Sequence, residues 1–232
     1  MRGAGVGRMM SSRLAIVVPA GPGDHAWLGL LPQLGAVHAR EIALVLPVGG
    51  PAITAALPGN VAVLRSAVGR ARQLNIGAAA TGADWLWFVH ADSRLTPATI
   101  EALHRFVAAD ADAMGYFDLR FLGDGPRLTV LNTIGAQLRS RWLGLPFGDQ
   151  GLLMPRRVFA ALGGFDPGLH SGEDHALVWA ARRAGVPLTA LRAPIYTSAR
   201  QYAQRGWWAT TARHLRLTCT QAWRYSRMAH TP

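Results

Sequence analysis

The stretch Trp85-Leu86-Trp87-Phe88-Val89-His90-Ala91-Asp92-Ser93-Arg94 constrains the chain more than any other. It starts as an unbroken apolar run rich in aromatics and stops at a polar turn. Such a run has no polar face, so it fits a strand buried on both sides of a sheet. His90, Asp92 and Ser93 then fall where the strand leaves the sheet. Open α/β sheets bind ligands beyond the carboxyl ends of their strands. A carboxylate followed by a hydroxyl and an arginine can hold a divalent cation and the phosphates it bridges. The plainer reading is an Asp that begins a turn.

The surroundings alternate between the two periods of secondary structure. Strands are expected over residues 14–18, 41–46, 61–64, 85–90 and 152–154, with a longer, more exposed one over 114–121. Helices are expected over 27–39 with a kink at Pro32, over 69–80, from Thr96-Pro97 to 109, over 128–142, over 155–162, and from Glu173-Asp174 to 184. Thr96 is a good N-cap and Pro97 a good first helical residue. Residues 186–191 and 195–198 read as two short extended pieces. Strands alternating with helices predict a doubly wound, mostly parallel α/β sheet with flanking helices.

With 232 residues, half of them hydrophobic, the chain suits one sizeable domain and a C-terminal extension. The expected division is a frayed N-terminus over 1–12, a catalytic domain over 13–200 and a basic aromatic helix over 201–232. All 24 basic residues are Arg, and the formal charge is +11. From His175 onward there are nine Arg and no Asp or Glu. Within that region Trp207, Trp208, Trp223 and Tyr225 alternate with Arg213, His214, Arg216, Arg224 and Arg227. This composition suits a basic amphipathic helix at an anionic membrane surface, or one packed on the sheet. The single Cys219 excludes an internal disulfide and a cysteine zinc site. No apolar stretch reaches the roughly 20 residues of a membrane span. The short apolar core near the start reads as a first strand instead of a signal peptide. The expected location is cytoplasmic, at the inner membrane face.

Three acidic positions converge on the predicted strand ends: Asp92, Asp149 in Gly148-Asp149-Gln150-Gly151, and Glu173-Asp174. One can hold a metal while another removes a proton from a hydroxyl. Helix-dipole charge at Glu173-Asp174 and a loop turn at Asp149 are the plain alternatives.

An ordered set of motifs resembles bacterial family 2 glycosyltransferases with the GT-A fold, and within them the selenodomain-associated glycosyltransferases. The set is Gly69-Arg70-Ala71-Arg72-Gln73-Leu74-Asn75 with Gly77-Ala78-Ala79-Ala80; Phe88-Val89-His90-Ala91-Asp92-Ser93; Leu138-Arg139-Ser140-Arg141 leading to Gly148-Asp149-Gln150-Gly151; Leu162-Gly163-Gly164-Phe165; Glu173-Asp174; and Thr197-Ser198-Ala199-Arg200. It runs from residue 14 to residue 210. By this resemblance Asp92 is the metal ligand for Mg²⁺ or Mn²⁺; as only one carboxylate of the usual pair is present, a second residue such as His170 or His175 is a candidate to complete the site. His90 takes the place of the family's first Asp. Asp174 matches the catalytic base, with Glu173 beside it and Asp149 as the next candidate. Donor contacts are expected from Ala20, Asp24, Arg70, Arg72, Asn75, His90, Ala91, Arg200 and Arg205, and acceptor contacts from Gly148 and Gln150. Two acidic segments of the family are replaced here, by Pro22-Gly23-Asp24 and by Leu46-Pro47, with Asp24 standing in for one.

The implied reaction is an inverting transfer of a hexosyl group from a nucleoside-diphosphate sugar, a UDP-sugar foremost, to a hydroxyl of a lipid or small metabolite. A nucleotidyltransferase would need a basic residue after the first strand, where Pro19-Ala20-Gly21-Pro22-Gly23 has none. A non-catalytic protein binding nucleic acid or an anionic surface would use the basic tail alone. The conjunction of Asp92, Asp149 and Asp174 weighs against it, and nucleic acid is not expected as a partner.

Overall fold

Two strands of unbroken apolar residues set the architecture. β1 (Leu14–Pro19) and β4 (Trp85–Phe88) are buried along their whole length and lie side by side, parallel, in the middle of one sheet. β2 (Glu41–Pro47) and β3 (Val61–Ser66) extend the sheet outward from β1, also parallel. On the other side β6 (Leu153–Pro155) runs antiparallel between β4 and β5 (Met114–Phe121), and β7 (Leu188–Thr197) closes that edge parallel to β5. The order is β3-β2-β1-β4-β6-β5-β7. The computed structural model describes residues 13–213 apart from 51, 52, 54, 55 and 170, together with 216 and 220. The expected frayed N-terminus, His170, His214, Trp223, Arg224, Tyr225 and Arg227 lie outside the described residues.

The two-residue period of the strands sorts the core into two layers. Leu14, Ile16 and Val18 face one side with Trp85 and Trp87. There they meet Trp27, Leu30, Leu31 and Leu34 of α1 (Trp27–Gly35) and Leu103 and Val107 of α3 (Pro97–Ala109). Ala15 and Val17 face the other side with Leu86 and Phe88. Their partners are α2 (Arg70–Ala79), α5 (Arg156–Ala161) and α6 (Glu173–Arg183). α4 (Thr129–Trp142) crosses β5, resting on it through Ala136 and Ser140. The start of α3 is set by a reciprocal cap: the Thr96 hydroxyl accepts from Thr99 N, and the Thr99 hydroxyl accepts from Thr96 N. This fixes where the loop after β4 ends.

That loop is also pinned from the opposite edge. Arg94 and Tyr196 exchange backbone hydrogen bonds of 2.8 and 3.0 Å, an isolated bridge that draws β7 over the end of β4. Asp92 therefore comes beside Thr197, whose hydroxyl donates to it at 3.4 Å.

Four expectations need correction. The strand at 114–121 is not exposed: its first four residues are buried, because β6 and β7 cover both its edges. The two extended pieces at 186–198 are one strand, interrupted by a bulge opposite Phe117 in which Arg192 takes φ 52°. The first helix ends at Gly35, four residues early. The basic aromatic segment is not one helix from 201: α7 (Arg200–Arg205) stops at Gly206, and a second helical stretch starts at 207.

Helix α2 lies close enough to β1 that side-chain size is limiting. A Cβ on Gly77 would collide with Val17 Cγ1 and approach Val45 Cγ2 at 3.1 Å. Gly135 on α4 has open space around it. Gly77→Ala is expected to lower stability by about 1–3 kcal/mol through overpacking. Gly135→Ala should raise it by about 0.5–1 kcal/mol through helix propensity. Urea unfolding of both variants checks the contrast; a neutral Gly77→Ala would mean that α2 does not seat on β1 through this residue.

Candidate active site

Two cavities open beyond the carboxyl ends of the central strands. The first, of about 570 Å³, lies over β1 and β2. Its walls are largely apolar, with Trp27, Leu28, Leu46, Pro47, Val48, Ile53 and Val68, and carry Asp24, His25 and Arg65 as polar points. The second, of about 400 Å³, lies over β4 and α6. It gathers Arg70, His90, Asp92, Asp149, Glu173 and Asp174, residues spread over a hundred positions of sequence.

Asp24, Arg200 and Asp92 link the two electrostatically, although the cavities share no lining residue and Arg200 lines neither. Asp24 lines the first cavity and Asp92 the second. Arg200 ion-pairs with Asp24 at 3.2 Å, and Asp24 also caps the turn into α1 through Ala26 N. Burial raises the Asp92 carboxyl above its ordinary range, Arg200 partly offsets this, and Asp24 adds to it. Asp92 is thus a carboxylate with weak protein compensation at a point where ligand charge can reach it. Ser93 is different from expectation: it is buried, and it does not line the cavity.

The strongest electrostatic feature is at the start of α6. Arg70, projecting from the first turn of α2, reaches Glu173 at 2.5 Å and Asp174 at 3.2 Å. Gly148 N donates to Asp174 Oδ2 at 2.5 Å, and His175 N donates to Oδ1 at 2.9 Å. Burial alone would raise the Asp174 carboxyl; Arg70, His175 and the Gly148 amide outweigh it and hold it well below the usual carboxylate range. His90 is pushed down to about 3 by burial and by Arg70, so it is neutral at physiological pH.

Asp149 is the opposite case. Burial pushes it up to about 6, against the pull of Arg139, and Asp174 adds to the rise. Among the described residues no hydrogen-bond partner meets its Oδ1. It sits in a single 3₁₀ turn, Gly148–Gln150, that is held from behind. Gln150 accepts from Phe147 N at 3.1 Å and from Arg139 at 3.3 Å, and donates to Phe117 O at 2.9 Å. Arg139 also lies 3.1 Å over the Phe147 ring, which stacks on His175 with centroids 3.6 Å apart.

The structure thus brings together six of the expected residues and separates others. Gly148 and Gln150 are buried, Gln150 completely; the Gly148 amide and the Gln150 side chain are bonded within the protein, and neither residue lines the second cavity. Asn75 makes a two-way bond with the backbone of Phe165, at 2.7 and 3.0 Å, and faces neither cavity. Arg72 is exposed and lines neither. Ala20 and Ala91 are buried, with the Ala20 carbonyl accepting from Gln73. The side chain of Arg205 lies outside the described residues. His175 is in the second cavity wall, stacked on Phe147. Among the described residues no three His, Cys, Asp or Glu side chains converge as a metal cluster. Residues that sequence reasoning missed are Phe147, Thr197, Tyr202 and Arg213, all in the second cavity. The only signal for Phe147 was its place directly before Gly148-Asp149.

An ionised Asp149 is a cost to the folded state. Its folded pKa is raised, so its contribution to stability is fully present below the unfolded value near 4 and is lost as pH rises through about 6. Asp149→Asn is expected to stabilise the protein at pH 7.5 by on the order of 1–2 kcal/mol, discounting for partial exposure, and by little at pH 4. Thermal melts at the two pH values check this, and equal effects at both would remove the strained carboxylate.

The family profile described as glycosyltransferase like family 2 matches residues 51–220, more than half of the chain. No curated protein matches. Among solved structures, S. aureus TarS 1-349 superposes with a TM-score of 0.57 at 14% identity, over 80% of this chain and 60% of that one. The same protein in complex with UDP-GlcNAc gives 0.61 at 15% identity, over 80% and 58%. A longer TarS structure gives 0.60 at 15% identity, over 81% of this chain and 37% of that one. The chain therefore spans about three-fifths of the shorter TarS structures and well under half of the longer one. At such identity the likeness speaks for the fold, a GT-A-like α/β sheet. The profile match runs from just before β3 through every residue that lines the second cavity, and the chain belongs to glycosyltransferase-like family 2.

Proposed function

We propose that the chain transfers a glycosyl group from a nucleoside-diphosphate sugar, a UDP-sugar foremost, to a hydroxyl of a lipid or small-metabolite acceptor by direct inverting displacement. The observation that carries this reading is the pair of cavities linked through the charges of Asp24, Arg200 and Asp92. An apolar cavity with one acid suits a nucleoside, and a polar cavity with four carboxylates suits a sugar and its acceptor. That link carries the one arginine and the weakly compensated acid that a diphosphate with its counter-ion requires. TarS, of the same family fold, is known in complex with UDP-GlcNAc, which supports a UDP-sugar as the donor class.

In this scheme Leu46, Pro47 and Val48 pack the base, Asp24 meets the ribose, and Arg200 pairs with the diphosphate. The residues of this link fit Mg²⁺ or Mn²⁺. Asp92 offers hard oxygen ligands, receives a long contact from Thr197, and pays a burial penalty that a cation relieves. With one protein carboxylate, the donor's own phosphate oxygens would supply the other ligands. When bound, the ion neutralises charge on the leaving nucleoside diphosphate.

Asp174 is the proposed base. Its ionised form is secured by Gly148 N and Arg70, so it needs no prior deprotonation at any physiological pH. Glu173 holds Arg70 and keeps the guanidinium between the two acids. A specific observation favours a second reading, with Asp149 as the base: a carboxyl near 6 with a free Oδ1 is better matched to proton transfer at neutral pH than one held very low.

Two measurements test the scheme. In a thermal-shift panel of UDP-, GDP- and dTDP-sugars, one nucleotide sugar is expected to stabilise the protein only with Mn²⁺, and Asp92→Ala to abolish the shift. A shift that is independent of metal and survives Asp92→Ala would overturn the role of Asp92. In single-turnover transfer, Asp174→Asn should keep donor binding and lose on the order of 10²–10⁴-fold in rate, the usual worth of a positioned base. The pH profile separates the two bases. With Asp174 the rate stays flat down to pH 5; with Asp149 it falls as pH drops through about 6, where that carboxylate takes up its proton.

A further inference from the structure

Helix α4 buries one face and leaves the other bare. Thr129, Ala136 and Ser140 turn toward β5, where the Tyr116 hydroxyl donates to Ser140 O. Val130, Leu131, Ile134, Leu138 and Trp142 recur on the opposite side at three- and four-residue spacing. Each is at least half exposed, Trp142 by 83%. The helical stretch from 207 continues this surface. Trp207 Nε1 donates to Asn132 Oδ1 at 2.6 Å and Asn132 Nδ2 donates to the Thr211 hydroxyl at 3.1 Å, while Trp208 stands 78% exposed. A continuous apolar face of this kind is rare on a protein that meets only water.

Charge decides what covers it. No Asp or Glu occurs between Asp124 and Asp149, and none after Asp174. The patch is drawn entirely from these two acid-free stretches, and Arg127 and Arg213 lie within them, as does Arg141, which is paired with Asp118. A second copy would set the same basic face against itself, which like charge disfavours. An anionic bilayer answers both features: acyl chains take the aliphatic stripe, headgroup phosphates take the arginines, and tryptophans suit the boundary between them.

We infer that α4 and the 207–213 stretch form a docking face for an anionic lipid surface, with α4 lying in the plane of the interface. It differs from the tail expected in the sequence, since most of this surface comes from the middle of the chain. Arg139 of α4 braces the Asp149 turn and Arg213 lines the catalytic cavity, so the docked face sets that cavity beside the membrane. The placement takes from the proposed function only the identity of the cavity.

The test is flotation of the full chain with phosphatidylcholine vesicles, with and without phosphatidylglycerol. The chain is expected to float with the anionic vesicles and far less with the neutral ones. Ile134→Glu combined with Leu138→Glu should cut the bound fraction about tenfold or more, while keeping whatever donor-induced thermal shift the unaltered chain shows. Acyl-chain-brominated lipid should quench tryptophan fluorescence, and Trp142→Phe and Trp208→Phe should each remove part of that quenching. Failure to float with anionic vesicles overturns the inference. So does undiminished flotation of the double variant with quenching unchanged in both tryptophan variants. A dimer in size exclusion that the double variant dissolves would assign the face to self-association instead. Because binding is read without turnover, loss of flotation leaves the glycosyltransferase reading standing, and loss of the donor shift leaves this one standing.

Discussion

The grip of Arg70 on Glu173 and Asp174 is the interaction on which the site depends. It joins the first turn of α2 to the first turn of α6 across a hundred residues, and the Gly148 amide adds a third element. Two adjoining buried carboxylates would repel each other and pay for lost hydration. One guanidinium shared between them, with a backbone donor on the inner acid, offsets both costs. Space is part of the arrangement. A Cβ at position 148 would come within 2.7 Å of Arg70 Nη2 and 2.8 Å of Asp174 Oδ2, so any larger residue would push the two groups away from the Gly148 amide. The two first-turn acids also suit the positive end of α6, which adds to the same balance.

The elements legible in the sequence are those whose signal is local. β1 and β4 announce themselves as apolar runs, α3 by its Thr96-Pro97 start, and Asp92, Asp149 and Glu173-Asp174 by their places after strands or at a helix start. What was not legible depends on contacts between distant segments. The antiparallel sense of β6 follows from its place between β4 and β5, and nothing in Leu153–Pro155 carries that information. β5 reads as half-exposed because Asp118 and Arg120 interrupt it, yet Asp118 finds Arg141 at 2.6 Å and the strand is covered. Asn75 and Gln150 share the motifs of the site and turn out to be braces. Side-chain type alone cannot separate a polar residue that meets ligand from one that closes a backbone bond.

The two candidate bases express one tension in opposite ways. Asp174 is stabilised as an anion by everything around it, which favours folding and lowers its basicity. Asp149 is left with a bare Oδ1 and a raised carboxyl, which disfavours folding and raises its basicity. Its turn stays in place because Gln150 and the Arg139–Phe147–His175 stack hold the backbone independently of the carboxylate. Protein stability spent on such a group is the ordinary signature of a site kept ready for a ligand.

This charge arrangement gives a physical reason for a histidine at position 90. The second cavity already holds Asp92, Asp149, Glu173 and Asp174, and Asp24 acts on it from the first. The described arginines that act on these acids are Arg70, Arg139 and Arg200, and Arg70 is committed to α6. A sixth acid after β4 would add to the repulsion that already raises Asp92 and Asp149. A neutral imidazole, kept so by burial and by Arg70, adds none of it and still offers a donor and an acceptor. His90 therefore leaves Asp92 as the single charged group of its motif, and on the proposed reading a cation held there would draw its remaining oxygens from the donor.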